Sequence, residues 1–491
     1  MKINNDLSAV LCALLLCSGI GLTSCERADL QGGDDNGGKA GALSWSLEAV
    51  TEVSATFTGL LDVPVKDLPF SQVAVCYSDA ENFNINDARK VSTTEFDADR
   101  KFTITVTGLK PNVKYNYCLV AEVKSEKTYG EPKSFRTLQH PYESESFDLN
   151  VASATDLSSS SSANCYVVSK AGLYKFKAVK GNSTTNVGSV ASASILWETF
   201  GTSETPECLD LIKAFCYKDG YISFQTADAF KEGNAVIAAK DASGKILWSW
   251  HIWFTDQPKG QVYYNNAGTM MDRNLGATSA TPGDVGALGL LYQWGRKDPF
   301  LSGGSISSQT KAKSTITWPS AVSSDSSNGT IAYATANPTT FITYNDRNDD
   351  WYYTGSSSTD NTRWTTSESN KSIYDPCPAG WRVPDGGSNG VWSKALGSSS
   401  SFTQMSLYDS THKGMNFSGK FGSASIIWYP ASGYCYNGDR GLSTVGYCGN
   451  YWSASPYGNH AYYLLFNNDG DVNPSNYDLR MYGRSVRCLQ E

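Results

Sequence analysis

The sequence predicts a mostly β, multidomain protein: two β-sandwiches followed by an irregular α+β domain. Three observations carry this. Apolar and polar residues alternate over short runs through most of the chain, the period of half-buried strands. Only 18 % of residues are charged while Gly, Ser, Thr, Asn, Tyr and Trp are abundant, a composition of extracellular β-rich proteins with many turns. The length of 491 residues accommodates about three domains.

The first element is not part of the fold. Leu7 to Leu22 is a nearly uncharged apolar stretch, too short to span a bilayer comfortably and followed at once by polar sequence, so residues 1–24 read as a signal peptide. Its n-region is weak, with Lys2 as the only side-chain cation and Asp6 nearby. Leu22-Thr23-Ser24-Cys25 resembles the lipobox of bacterial lipoproteins, which makes Cys25 the lipidated first residue of the mature chain. Residues 25–42, with Gln31-Gly32-Gly33-Asp34-Asp35-Asn36-Gly37-Gly38-Lys39, have almost nothing to bury and read as a flexible tether. Linked acyl chains at Cys25 would hold such a protein to a membrane, each buried methylene adding about 0.8 kcal/mol. The expected location is the cell envelope, on the outer membrane facing outward.

Residues 43–138 form the first sandwich. Leu43, Trp45 and Leu47 alternate, then Val53, Ala55 and Phe57, then Val73 and Val75, then Phe102, Ile104 and Val106. Gly108-Leu109-Lys110-Pro111-Asn112-Val113-Lys114-Tyr115 resembles the corner between the fifth and sixth strands of a fibronectin type III domain, where a Leu plugs the core and a Tyr forms a tyrosine corner. Tyr115, Tyr117, Leu119 and Ala121 would face inward, and Gly130 to Thr137 would supply the last strand.

Residues 139–258 read as a second sandwich. Asp241-Ala242-Ser243-Gly244 is a turn, after which Ile246, Trp248, Trp250, Ile252 and Phe254 fall on one face of a core strand. His251 lies on the opposite face, where a lone histidine is usually a surface or interface residue. Both sandwiches read as spacers, and no site is assigned to either.

Residues 259–491 carry the most recognisable sequence. Met271-Asp272-Arg273-Asn274-Leu275-Gly276-Ala277, Gly289-Leu290-Leu291-Tyr292-Gln293-Trp294-Gly295-Arg296-Lys297-Asp298-Pro299, Cys377-Pro378-Ala379-Gly380-Trp381-Arg382-Val383-Pro384, Tyr451-Trp452-Ser453-Ala454-Ser455 and Gly483-Arg484-Ser485-Val486-Arg487-Cys488 follow in that order. Together they resemble the Fibrobacter succinogenes major paralogous (FISUMP) domain of exported bacterial proteins. The resemblance implies a fold like that of C-type lectins and formylglycine-generating enzymes, with few helices; Leu288 to Gly295 and Gly390 to Leu396 are the expected ones. It also implies a disulfide between Cys377 and Cys488. Cys435 and Cys448 would pair separately, since their surroundings do not match the copper-binding cysteines of the enzymes. Of twelve cysteines, nine remain after Cys12, Cys17 and Cys25, so at least one thiol is left over.

Several chemistries find no motif. His140, His251, His412 and His460 show no HExxH spacing, and there is no CxxC pair, P-loop, GxGxxG after a strand or GxSxG elbow. No catalytic residue, metal ligand or cofactor is assigned. Asp346-Arg347-Asn348-Asp349-Asp350 alternates like the start of a calcium loop but has Trp351 where the turn needs Gly, and Asn468-Asp469-Gly470 reads as a hairpin turn. The net charge of -8 argues against nucleic acid or anionic membrane surfaces as partners.

The reading is therefore a surface protein for binding or adhesion, to a glycan or another surface ligand, and not an enzyme. A structural or tip subunit of a fimbria-like assembly is the alternative, and an enzyme of the lectin-like fold the third reading. In lectin-like folds, long irregular loops before the last strands form the binding surface. Here these are Asn345 to Trp364 and Trp428 to Asn450, with Trp351, Tyr352, Trp364, Trp428, Tyr434, Tyr436, Asn437 and Asp439 as candidate ligand-binding residues. Aromatic faces stack on the apolar face of a sugar while Asn and Asp bond its hydroxyls. The competing use of these aromatics is as core, in a domain too poor in helices to bury much else.

Overall fold

The computed structural model describes residues 37–50, 54–80, 82–109, 113–137, 149–344, 349–366, 370–436 and 441–491. Cys25 lies outside them. Among the described residues strands outnumber helices, so the protein is mostly β, as the sequence predicts.

The first sandwich closes between two sheets. One orders Gly37–Ala40, Leu43–Val50, Ser54–Leu61 and Lys101–Thr107; the other orders Arg89–Thr93, Ser71–Ser78 and Lys114–Val123, the last pairing with both Glu126–Tyr129 and Lys133–Arg136. Alternation fixes the inward faces: Phe102, Ile104 and Val106 are buried while Lys101, Thr103 and Thr105 are exposed. Tyr115, Tyr117, Leu119 and Ala121 point into the same core, and Leu109 is buried beside them. The expected tether is shorter than predicted. Gly37–Ala40 pairs antiparallel with Leu43–Val50 through a turn in which Gly41 takes φ +57°, so residues 37–40 extend the sheet. On the outer face of the second sheet, Cys76, Cys118 and Val120 are covered by Phe83, Ile85 and Ala88 of the same unit.

The middle sandwich stacks Thr155–Asp156, Leu173–Lys177, Tyr221–Thr226 and Ile212–Lys218 against Cys165–Val168, Ile246–Phe254, Gly233–Lys240 and Ser192–Thr199. Trp248, Trp250, Ile252 and Phe254 fill its interior. The opposite face of the same strands is also buried: Cys165, Trp197, Val236 and Trp253 join Trp294, Trp364, Trp452, Cys377 and Cys488 in one apolar cluster. Polar groups close this seam. Asn164 Nδ2 donates to the carbonyls of Ile373 and Asp375 at 2.7 and 2.9 Å, and Trp253 Nε1 donates to that of Ala277 at 3.0 Å. Lys297 Nζ, with only 2 % of its side chain exposed, donates to the Ser249 carbonyl and to Asp298. The middle sandwich is thus no free spacer; it shares a core with residues 259–491.

His251 sits in that seam, its Nε2 2.8 Å from Asn234 Oδ1 and its Nδ1 3.4 Å from the Tyr292 hydroxyl. Burial pushes its pKa down to about 3, so the ring is neutral.

The third unit is organised by one sheet in the order Phe300–Leu301, Leu290–Gln293, Gly483–Ser485, Cys448–Tyr457, His460–Asn467, Asp471–Leu479 and Phe402–Thr403. Tyr434–Cys435 adds to it beside Gly483–Ser485. The segment expected as a helix over Leu288 to Gly295 contains the strand Leu290–Gln293 instead, paired on both edges and buried at all four positions. A short, continuous apolar run buried on both faces is ambiguous in periodicity, and pairing decided it. The helix expected at Gly390 to Leu396 is present as Val391–Leu396, closed by Gly397 at φ +70°. A second helix, Ile331–Ala336, starts where Thr330 Oγ1 accepts the Tyr333 N–H. Asn468 to Gly470 is the hairpin turn, with Gly470 at φ +83° and Asn467 Oδ1 accepting from the amides of Asp469 and Asp471.

Cys377 and Cys488 are joined, 111 residues apart in sequence. Cys435 and Cys448 are not, which corrects the second expected bridge. Cys435 points into a cluster with Leu291, Phe300, Phe341, Leu442 and Val445, whereas Cys448 begins a strand opposite Asn467. Neighbouring backbone did not bring the two sulfurs into one environment.

Candidate functional site

The aromatics singled out in the irregular loops divide into core and surface. Trp351 and Trp364 are 0 % exposed and Trp428 3 %, so none of the three offers a face to a ligand. The indoles serve the loops themselves: Trp351 Nε1 donates to the Trp294 carbonyl at 2.7 Å and Trp364 Nε1 to that of Arg296 at 3.0 Å. With only two short α-helices among the described residues of this unit, loop backbone has few regular partners, and buried indoles supply both volume and donors. Trp428 anchors differently, its carbonyl accepting from Arg487 Nη2 at 2.7 Å.

Asp350 is buried as well. Arg363 clasps both its oxygens, Thr359 Oγ1 donates to Oδ2 at 2.6 Å, the Tyr352 amide donates to Oδ1 at 3.1 Å, and Arg480 lies 3.8 Å away. Two guanidiniums around one carboxylate compensate a charge that burial alone would make costly. Tyr352 is half-buried over the Arg363 guanidinium at 5.3 Å. Asn437 and Asp439 lie outside the described residues.

Tyr434 and Tyr436 remain at the surface. Tyr436 is 47 % exposed and lies parallel to Tyr482 with centroids 6.3 Å apart, while Tyr434 meets Tyr482 edge-on at 5.4 Å. Arg484 lies beneath, 5.5 Å from the Tyr434 ring and paired with Asp478. Burial, with Asp478 nearby, pushes the Tyr482 phenol up to about 12, so it stays a neutral donor.

A second aromatic group was not singled out in the sequence. Tyr457, Tyr462 and Tyr477 come from three adjacent strands, with Tyr462 directly opposite Tyr477 and Tyr457 opposite His460. Centroids are 4.1 Å apart for Tyr457 and Tyr477 and 5.1 Å for Tyr457 and Tyr462; His460 lies 5.8 Å from Tyr477. Tyr457 and Tyr477 are 44 % and 47 % exposed. The turn at Gly386 and Gly387 lies against the edge of the group: a Cβ on Gly387, already at φ +76°, would stand 2.9 Å from the Tyr462 ring. Asp385, ion-paired with Arg382 at 2.6 Å, adjoins these glycines and brings charged groups to the same edge. The signal was present in the alternation: along His460–Asn467, Ala461, Tyr463, Leu464 and Phe466 are buried, leaving His460 and Tyr462 on the other side. A reading centred on loops passes over a platform built from strands.

The arrangement suits a shallow ligand. The clefts beside Arg296, Lys297 and Trp351 and beside Phe300, Trp318 and Cys435 hold about 10 and 20 Å³, room for about one water molecule and far below the size that encloses a drug-like molecule. Exposed phenol rings with adjacent charged groups can stack on and hydrogen-bond a ligand lying across them. Among the described residues no three of His, Cys, Asp and Glu converge as metal ligands would. Among the described residues, too, no helix is long and apolar enough to cross a membrane.

No family model matches the chain, and no curated protein does. Among solved structures, the sensor domain of the anti-sigma factor RsgI4 of Pseudobacteroides cellulosolvens, in a short form, is similar over 20 % of this chain and 97 % of that one, at 17 % identity and a TM-score of 0.16. Its long form matches over 19 % of this chain and 84 % of that one at 18 % identity and a TM-score of 0.15. The solution structure of that domain matches over 19 % and 70 %, also at 18 % identity and 0.15. Likeness so slight carries no argument about function.

Proposed function

We propose that this chain is an exported lipoprotein, anchored through Cys25 in the cell envelope, that binds a glycan or another surface ligand through its C-terminal FISUMP-like, lectin-like unit, and that it is not an enzyme. The observation that carries the reading is the cluster Tyr457, Tyr462 and Tyr477, with Tyr457 and Tyr477 exposed and Tyr462 half-buried between them, in a unit that buries most of its other large aromatics. The likeness of the five motifs to FISUMP domains supports the surface location, and the apolar stretch before Cys25 supports export. Tyr434, Tyr436 and Tyr482 form a second aromatic edge.

A glycan array probed with residues 37–491 tests it. Binding to a defined glycan is expected, with at least a tenfold loss for Tyr457→Ala combined with Tyr477→Ala and an unchanged melting temperature. A fall of several degrees in the double variant, with no glycan bound by the parent, would make these rings a structural cross-strand cluster instead. Retention of membrane association and mature size by Cys25→Ser would remove the lipoprotein part of the reading alone.

A further inference from the structure

Strands Ser71–Ser78 and Lys114–Val123 are antiparallel neighbours in the first sandwich, and Cys76 stands directly opposite Cys118 in their register. The flanking residues Val75, Tyr77, Tyr117 and Leu119 point into the core. Both thiols therefore project from the other face, where they pack in one cluster under Phe83, Ile85 and Ala88. Directly opposed residues of an antiparallel pair hold their Cα atoms about 4.5–5.5 Å apart, inside the range that a disulfide bridges. Both are thiols in this structure.

We propose that Cys76 and Cys118 are a disulfide-forming pair, oxidised within the folded sandwich to staple two adjacent strands. The pairing rests on register and burial alone. That it forms in the cell rests also on the export reading, because an exported chain meets an oxidising compartment.

The chemistry needs a small-molecule disulfide as oxidant. The Cys76 thiolate attacks one sulfur of oxidised glutathione, forming a mixed disulfide and releasing one glutathione thiol. Cys118, as thiolate, then attacks the Cys76 sulfur and releases the second. Two protein thiols lose two protons and two electrons, and two glutathione thiols are made. Cys76 is the better first nucleophile: Lys90 is its register partner on the neighbouring strand and, with Lys127, opposes the upward push of burial. Cys118 is pushed up to about 11 by burial, with the Cys76 sulfur adding to the shift. The cover formed by Phe83, Ile85 and Ala88 has to lift before glutathione can enter, so oxidation is slow and follows local opening.

The full chain, purified under reducing conditions that spare the Cys377–Cys488 bridge, is incubated with oxidised glutathione, alkylated under denaturing conditions and mapped without reduction. A peptide linking Cys76 to Cys118, lighter by two hydrogens, is expected, with an unfolding midpoint raised by about several degrees. Cys118→Ser should accumulate glutathione on Cys76. Complete alkylation of both thiols, even when oxidation is repeated in mild denaturant to loosen the cover, overturns the proposal; so does Cys76 linked to any other cysteine. The same map on protein taken from the cell envelope separates the two readings: a link formed only in vitro keeps the pairing and rejects export into an oxidising compartment.

Discussion

The two sandwiches dispose of their outer faces in opposite ways. In the first, Cys76, Cys118 and Val120 are roofed by Phe83, Ile85 and Ala88, a cover drawn from the same unit. In the middle one, Trp197, Val236 and Trp253 are covered by residues from beyond position 259. A sheet has two faces, and the core inside a sandwich says nothing about who covers the second. One unit can be a spacer; the other is half of a larger body.

The strongest challenge to this contrast is to separate the parts. Residues 37–137 alone should fold, with a cooperative melt and dispersed near-ultraviolet dichroism. Residues 149–258 alone should aggregate or stay molten, because Trp197 and Trp253 would be left in water. A stable, monomeric middle fragment would break the comparison.

Point variants at matched outer positions come next. Trp253→Ala removes a fully buried ring and its hydrogen bond to the Ala277 carbonyl, and should cost about 3–5 kcal/mol in denaturant unfolding of residues 149–491. Val120→Ala, under the thinner cover of the first sandwich, should cost about 1–2 kcal/mol. Similar losses at the two positions would mean that the covers are equivalent.

A third test is a pH dependence confined to the seam. His251 has a folded pKa near 3, below its ordinary 6.5, so the unfolded chain takes up a proton first as pH falls. Stability is lost from pH 6.5 toward 3. Asp375, pushed up by burial from 3.8 to about 6, works in the opposite sense, since the folded carboxyl keeps a proton that the unfolded one has released. The two partly cancel in the parent chain. Comparison with His251→Gln isolates the histidine: relative to that variant, the parent should lose about 2 kcal/mol between pH 6.5 and 4.5. A constant difference across that window would show that His251 does not titrate on unfolding.

Much of the fold was legible because alternation reports burial directly. Trp248, Trp250, Ile252 and Phe254 face the middle core as their spacing requires. What alternation does not report is a strand buried on both faces: in Ile246–Phe254, the intervening His251 and Trp253 are buried too, against a different partner. The same limit hid the strand Leu290–Gln293. The candidate site was less legible. Exposed tyrosines on a hairpin and buried tryptophans in a loop carry the same letters, and only long-range pairing decides which of them water can reach. The Cys377–Cys488 bridge was legible through resemblance, while Cys435 and Cys448 show that proximity along the chain does not make a pair.

The Cys377–Cys488 bridge has a mechanical side. Every exposed tyrosine of the two aromatic edges lies between its two cysteines. A pull on those rings, resisted at the N-terminus, would otherwise peel strands from the sheet one hairpin at a time. Because the rings lie inside the loop, a pull on Tyr457 is held by two arms that meet at the bridge, and the shorter arm to Cys488 limits extension to roughly 100–110 Å where the arm back to Cys377 alone would allow roughly 260–290 Å. Load leaves both arms at the bridge and passes to the seam with the middle sandwich. Reduction would turn a stiff grip into an extensible one, lengthening under force before it lets go.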